Sequence, residues 1–227
     1  MKISLLRRLA AEFIGTALLV AAVVGSGIMG ERLAGGNTGL ALLANTIATG
    51  SALAALILTF GPISGAHFNP VVSLADAWHG GLSWNEASAY ILAQAIGGVT
   101  GTLTAHVMFS LPAISLSHHA RGGPAQIFSE FVATFGLLSV IQGCSRRGPG
   151  ISAAAVGSYI AAAYWFTAST SFANPAVTVA RALSDTFSGI RPADVPGFVS
   201  AQLLGGLAAA LLFGWLGRKS QSEAQDP

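Results

Sequence analysis

His67-Phe68-Asn69-Pro70-Val71-Val72 and Phe172-Ala173-Asn174-Pro175-Ala176-Val177 are two copies of one short stretch, and where they stand decides the fold. Asn-Pro is a turn signal, yet each copy lies inside a long run without charge. Irregular backbone at membrane depth is tolerated only where protein buries it or where it lines a watery cavity. Proline is at home as the first residue of a helix, where its missing N–H costs nothing. Each copy therefore reads as the start of a half-helix whose N-terminus points into the membrane. Asn69 and Asn174 stand at those starts with amide donors to spare. Two such ends meeting near the midplane make a polar passage through a hydrophobic slab.

Composition supports a membrane setting. Of 227 residues, 52% are hydrophobic and only 9% charged, and the mean hydropathy is +0.64. Soluble domains carry about 25% charged residues. A net charge of +2 with scattered Lys and Arg excludes a nucleic-acid partner. The single cysteine, Cys144, rules out an internal disulfide and a cysteine metal cluster. No nucleotide-binding loop, metal set or nucleophile–base pair stands out, so neither enzyme nor cofactor is expected. The N-terminus resembles a signal peptide, but its apolar segment holds Glu12 and runs on to about Met29, which suits a retained span.

A helix needs about 20 apolar residues to cross the hydrocarbon. Six candidates run roughly 8–29, 39–60, 85–109, 126–144, 151–168 and 194–217, with short helices near 70–79 and 175–186 after the Asn-Pro turns. The expected fold class is an all-α membrane protein: six transmembrane helices and two re-entrant half-helices. Six spans place both termini on one side. Lys2, Arg7, Arg8, Arg146, Arg147, Arg218 and Lys219 fall there, against Arg32, Arg121, Arg181 and Arg191 opposite. The positive-inside rule makes the termini cytoplasmic, in the cell (inner) membrane. The first re-entrant loop, cytoplasmic in this scheme, has no Lys or Arg.

The halves repeat in order. Ala11-Glu12-Phe13-Ile14-Gly15-Thr16 answers Ser129-Glu130-Phe131-Val132-Ala133-Thr134, and Ala93-Gln94-Ala95-Ile96-Gly97-Gly98 answers Ala201-Gln202-Leu203-Leu204-Gly205-Gly206. Three spans per half force the second copy to insert upside-down, which puts a polar site at mid-membrane.

On Ala-Glu-Phe-Ile-Gly-Thr at 11–16, Ser-Gly-Ala-His-Phe-Asn-Pro-Val at 64–71 and Asn-Pro-Ala at 174–176, the chain closely resembles the major intrinsic proteins, the aquaporins and aquaglyceroporins. The resemblance covers essentially the whole chain. It implies one channel domain over 1–217, with inverted repeats near 1–110 and 125–217 and a polar tail at 218–227. It also implies a homotetramer in membrane lipid, one pore per subunit, passing small neutral solutes downhill. Two departures stand out. The first turn reads Asn-Pro-Val, expected to add bulk beside the midplane. Val177 occupies the position where the family usually has an arginine in its narrowest ring.

By spacing from the asparagines, that ring also holds Thr49, Ser171 and a fifth-span residue. Counting back from Asn174 gives Ala162; alignment on Gly157 gives Tyr164. A ring of Thr49, Ala162, Ser171 and Val177 is wide, mostly apolar and uncharged, and lacks a guanidinium's five donors. Such a filter admits solutes bulkier than water and excludes ions less strictly. The run 174–187 resembles bacterial aquaglyceroporins linked to arsenic-resistance operons, which implies undissociated arsenite and methylated arsenicals as solutes. An ordinary water or glycerol channel is the nearer alternative, and a coupled secondary transporter the one from another class.

Several side chains carry two readings. Asn69 and Asn174 cap helices while keeping amide N–H groups for solute, and Pro70, Val71, Pro175 and Ala176 complete the turns. Glu12 and Glu130, costly within spans, are proton relays or supports for the loops at His67 and Phe172. Their symmetry favours support. Gly65, Ala66, His67, Thr170, Ser171 and Phe172 are expected, in extended backbone, to turn carbonyls toward the pore. Arg181, four residues after Val177 on one helix face, is a displaced filter charge at the outer mouth or the partner of Asp185. His118 and His119 are a solvated loop or a metal pair, and Cys144 a packed thiol.

Overall fold

A computed structural model describes residues 3–145 and 147–217. Lys2, Arg146, Arg218, Lys219 and the tail from 218 lie outside the described residues. The elements are α1 (Leu5–Leu33), α2 (Thr38–Ser64), α3 (Pro70–Trp78), α4 (Trp84–Met108), α5 (Pro124–Cys144), α6 (Pro149–Phe166), α7 (Pro175–Arg181) and α8 (Val195–Leu216), the last preceded by a 3-10 turn at Pro192–Asp194. This is the expected all-helical architecture, with α3 and α7 as the two half-helices. Four long helices are long and apolar enough to span, as is α8 with the turn before it. The sixth, α6, has 18 residues, about 27 Å at 1.5 Å per residue.

Local signals set the ends. Asn37, Asn69 and Asn174 cap α2, α3 and α7, and Ser83 with Glu86 forms a capping box on α4. Pro124 and Pro149 open α5 and α6, each after a glycine at positive φ. The half-helix α7 stops at Arg181, short of the expected 186. The peptides beyond it bond elsewhere: Ser115 and Ser117 N–H donate to the carbonyls of Leu183 and Ala182, and the Ser184 side chain meets His106 at 2.8 Å.

The packing reverses that of a soluble protein. Outward faces carry exposed Leu92, Ile96, Val107, Leu204 and Leu211, while Glu12, Gln94, Glu130, Gln202 and Thr134 are fully buried. Hydrocarbon gives helices no hydrophobic reason to associate, so small residues that bring backbones together do the packing. A Cβ at Gly97 would stand 2.5 Å from the Phe13 carbonyl oxygen, and one at Gly205 would overlap that of Phe131. These glycines hold α4 on α1 and α8 on α5, so the Gly-Gly of the repeat is the contact itself. Gly50 and Gly157 play the same part where α2 crosses α6, each Cβ position within 3 Å of the other's carbonyl oxygen.

Candidate functional site

The two turns touch. Asn69 Nδ2 donates to the Ala173 carbonyl at 2.7 Å, and Asn174 Nδ2 donates to the Phe68 carbonyl at 2.8 Å. Asn69 Oδ1 accepts from Val71 N–H; Asn174 Oδ1 accepts from Ala176 and Val177 N–H. An amide nitrogen has two hydrogens, so each Nδ2 spends one across the junction and keeps one for the cavity it lines. The positive ends of both half-helices meet there.

The loops before the turns are strained rather than extended. Ala66 and Phe68 have φ of 51° and 50°, Thr170, Ser171 and Ala173 have 61°, 51° and 49°, all in the left-handed region that disfavours L side chains. Buried carboxylates hold them there. Glu12 Oε1 accepts from His67 N–H at 3.0 Å and from the Ser64 hydroxyl at 2.6 Å, and Oε2 accepts from Phe68 N–H at 2.7 Å. Glu130 accepts from Phe172 and Ala173 N–H, both at 2.8 Å. Gln94 Nε2 donates to Glu12 at 2.8 Å and Gln202 Nε2 to Glu130 at 2.6 Å; each also reaches a hydroxyl of its half-helix, Ser73 or Thr178. Neither glutamate lines the cavity, so the geometry is that of loop supports and not of a relay. The glutamine role is absent from the sequence reading. Its signal was there, a buried-type amide at the same place in each apolar repeat.

A cavity of about 770 Å³ runs along the bundle axis. Ser145, Ser152, Phe213 and Leu216 line it at the side where α1 begins and α8 ends; Asn69 and Asn174 line its middle; Tyr164, Ser171, Val177 and Arg181 line its far side. Gly65, Ala66, His67 and Phe172 also line it, whereas Thr170 does not, its hydroxyl accepting from Arg121. Ser171, 2% exposed, has an Oγ with no partner among the described residues.

Four expectations need correction. Ala162 is exposed on the outer face of α6, and Tyr164 lines the cavity instead, its hydroxyl 3.3 Å from Thr49 Oγ1. Thr49 is thus one hydrogen bond behind the wall. Val71 does not crowd the midplane either; it packs on α8, and Val72 faces the cavity. Asp185 does not pair with Arg181, because α7 has ended. The Asp185 carboxylate takes the N–H and Nδ1 of His118 at 2.9 and 3.0 Å, bonds that hold its pKa below the usual range.

Val71 lies where a Cβ on Gly206 would be. Gly206→Ala is expected to cost about 1–3 kcal/mol by overpacking, and Val71→Ala in the same chain to recover most of it. Thermal unfolding of the three variants in detergent checks this; additive losses would place Val71 elsewhere.

Two guanidiniums gather at the far side. Arg121, 7% exposed, donates from Nε and both terminal nitrogens to the Gly189, Ser169 and Phe187 carbonyls and to Thr170 Oγ1. Burial pushes its pKa down to about 10, so it stays charged at neutral pH. Arg181, 2% exposed, donates from Nε to the Ser188 carbonyl and lies with its guanidinium carbon 3.4 Å from the Phe172 ring centroid.

A conduit that threads past two broken helices, with amide donors at its middle, is the working part of a membrane channel. Comparison with known proteins agrees. The major intrinsic protein family model matches residues 1–171, and the chain belongs to that family. It is 55% identical over 212 residues, 93% of this chain and 91% of the relative, to aquaglyceroporin AqpS of Rhizobium meliloti (strain 1021). It is 29% identical over 246 residues to probable aquaporin AqpM of Archaeoglobus fulgidus, covering 96% of this chain and 100% of that one. The solved aquaglyceroporin of Plasmodium falciparum superposes with a TM-score of 0.71 at 20% identity, covering 94% of this chain and 95% of that one, a likeness of fold. The protein is a multi-pass membrane channel for small solutes and not an enzyme.

Proposed function

We propose that this chain is an aquaglyceroporin-type pore whose filter lacks the arginine usual in its family and passes uncharged solutes bulkier than water. Glycerol-like solutes, undissociated arsenite and methylated arsenicals are its proposed substrates. The observation that carries the reading is Val177 in the cavity wall, directly after Asn-Pro-Ala, with Ser171 in the same wall and its hydroxyl without a partner among the described residues. An aliphatic side chain there leaves the ring neutral, and Ser171 supplies a polar contact for a neutral hydroxylated solute. The asparagine amides supply donors at the midplane, and the strained loops bring backbone to the same wall. The likeness of 174–187 to arsenic-linked relatives names the arsenicals. The termini are proposed to be cytoplasmic, the membrane the cell's inner one, and the assembly a homotetramer with a pore in each subunit.

Tyr164 favours a second reading, since it brings more bulk to the ring than Ala162 would. Drawn back toward Thr49, it narrows one wall, and an ordinary water and glycerol pore has that shape. Stopped-flow light scattering on proteoliposomes separates the two. The wide-filter reading predicts glycerol and arsenious acid fluxes at least tenfold above empty vesicles, without any ion gradient. Water passing alone would refute it, and flux that saturates and requires a coupling ion would make the protein a transporter.

A further inference from the structure

The seventh residue after each asparagine carries a charge that faces the same cavity. After Asn69 it is Asp76, at the side of the termini; after Asn174 it is Arg181, at the far side. Arg181 has no carboxylate within bonding distance among the described residues: Asp185 is taken by His118, and Asp194 by Arg191. Only its Nε has a protein acceptor, Ser188. The four hydrogens of its terminal nitrogens have none among the described residues, and the side chain is part of the cavity wall. Arg121 differs, since Nε and both terminal nitrogens are spent on Gly189, Ser169, Thr170 and Phe187. The Phe172 ring lies under both guanidiniums, 3.4 Å from Arg181 and 5.1 Å from Arg121. A ring face holds a desolvated cation in place, and two cations over one ring make that end of the conduit positive.

We propose that Arg181 is the charge-selecting residue of this pore: it repels cations one helical turn beyond Val177, where the neutral ring no longer does so. Four residues of helix separate the two, about 6 Å. Walls of low dielectric focus the field of a buried charge along a narrow path. An uncharged solute feels little of that field. Selection by size at Val177 and selection by charge at Arg181 are therefore carried by different side chains. The inference deepens the channel reading and rests on it. It also reverses the expectation that a ring without arginine excludes ions less strictly.

The test uses the full chain in proteoliposomes, reading glycerol flux by light scattering and potassium leak with an enclosed potassium dye. Arg181→Met keeps length without charge and is expected to raise the ratio of potassium leak to glycerol flux at least tenfold over the parent. Arg181→Lys keeps the charge and should raise that ratio no more than threefold. Adding Val177→Arg to Arg181→Met should restore the barrier. Equal ratios in Met and Lys variants would overturn the proposal, as would an unchanged ratio in Arg181→Met.

A second measurement needs no flux. In a Cys144→Ala background, Ser171→Cys is labelled with anionic sulfonate and cationic trimethylammonium methanethiosulfonates of similar size. The anionic-to-cationic rate ratio should fall at least tenfold when Arg181→Met is added; an unchanged ratio overturns the proposal even if the variant passes nothing. A parent that passes no glycerol while this ratio still responds would sink the channel reading alone.

Discussion

Glu130→Leu is expected to abolish solute flux and to lower stability by about 3–6 kcal/mol. Glu130 is fully buried and accepts from the N–H groups of Phe172 and Ala173 and from Gln202 Nε2. Leucine leaves those three donors in an apolar interior, each orphan costing about 1–3 kcal/mol. The loop then loses the carboxylate that helps hold Ser171 and Ala173 at positive φ, where each non-glycine residue costs on the order of 1–3 kcal/mol, and keeps only weaker ties such as Asn69 Nδ2 to the Ala173 carbonyl. The loop should relax, and Asn174 would lose its register on Phe68. Glu130→Gln keeps one acceptor oxygen and turns an amide donor toward an N–H, so an intermediate loss is expected. Glu12 makes the equivalent bonds to His67 and Phe68, and Glu12→Leu should behave alike. Denaturation in detergent and flux in vesicles are the readouts. A well-folded Glu130→Leu protein with parental flux would mean the loop conformation has another support.

The broad fold was legible because lipid leaves a chain few choices. Runs without charge must be helices, and an Asn-Pro turn inside such a run must be buried in protein or face a cavity. The doubled Glu, Asn-Pro and Gln-x-x-Gly-Gly pieces then give the arrangement of the halves. What could not be read was the register across irregular backbone. Thr49 reaches Asn69 mostly through helix, since α2 runs to Ser64. Tyr164 reaches Asn174 mostly through non-helical chain, since α6 ends at Phe166. Helix advances about 1.5 Å per residue, and the non-helical chain from Thr167 to Ala173 does not keep that rise, so counting residues back from Asn174 as in the first half misplaces the ring position, and Ala162 is too far back. Side-chain direction at the turns was equally hidden. Val71 faces Gly206 of α8, while Val72 and Val177 face the cavity. Of the two readings of Arg181, pairing with Asp185 fails because an i,i+4 rule assumes the helix continues, and side-chain and backbone bonds around 182–184 end it.

Val177→Arg should exchange a size filter for a narrower one. The valine side chain lines the same cavity as Ser171 and Tyr164. An arginine there adds a long side chain and five donors beside the hydroxyl of Ser171. Water, small and readily bonded to a guanidinium, should still pass at no less than about one-third of the parental rate. A three-carbon polyol or arsenious acid must squeeze past the added atoms. A tenfold loss corresponds to about 1.4 kcal/mol of barrier, a modest demand for steric crowding at a constriction. The deciding quantity is therefore the ratio of glycerol to water permeability, measured by stopped-flow light scattering on vesicles carrying equal amounts of parent and Val177→Arg protein. The account predicts that the ratio falls at least tenfold while water flux persists. A ratio unchanged by the substitution, whether both fluxes survive or both fall together, would show that Val177 does not set what this channel admits.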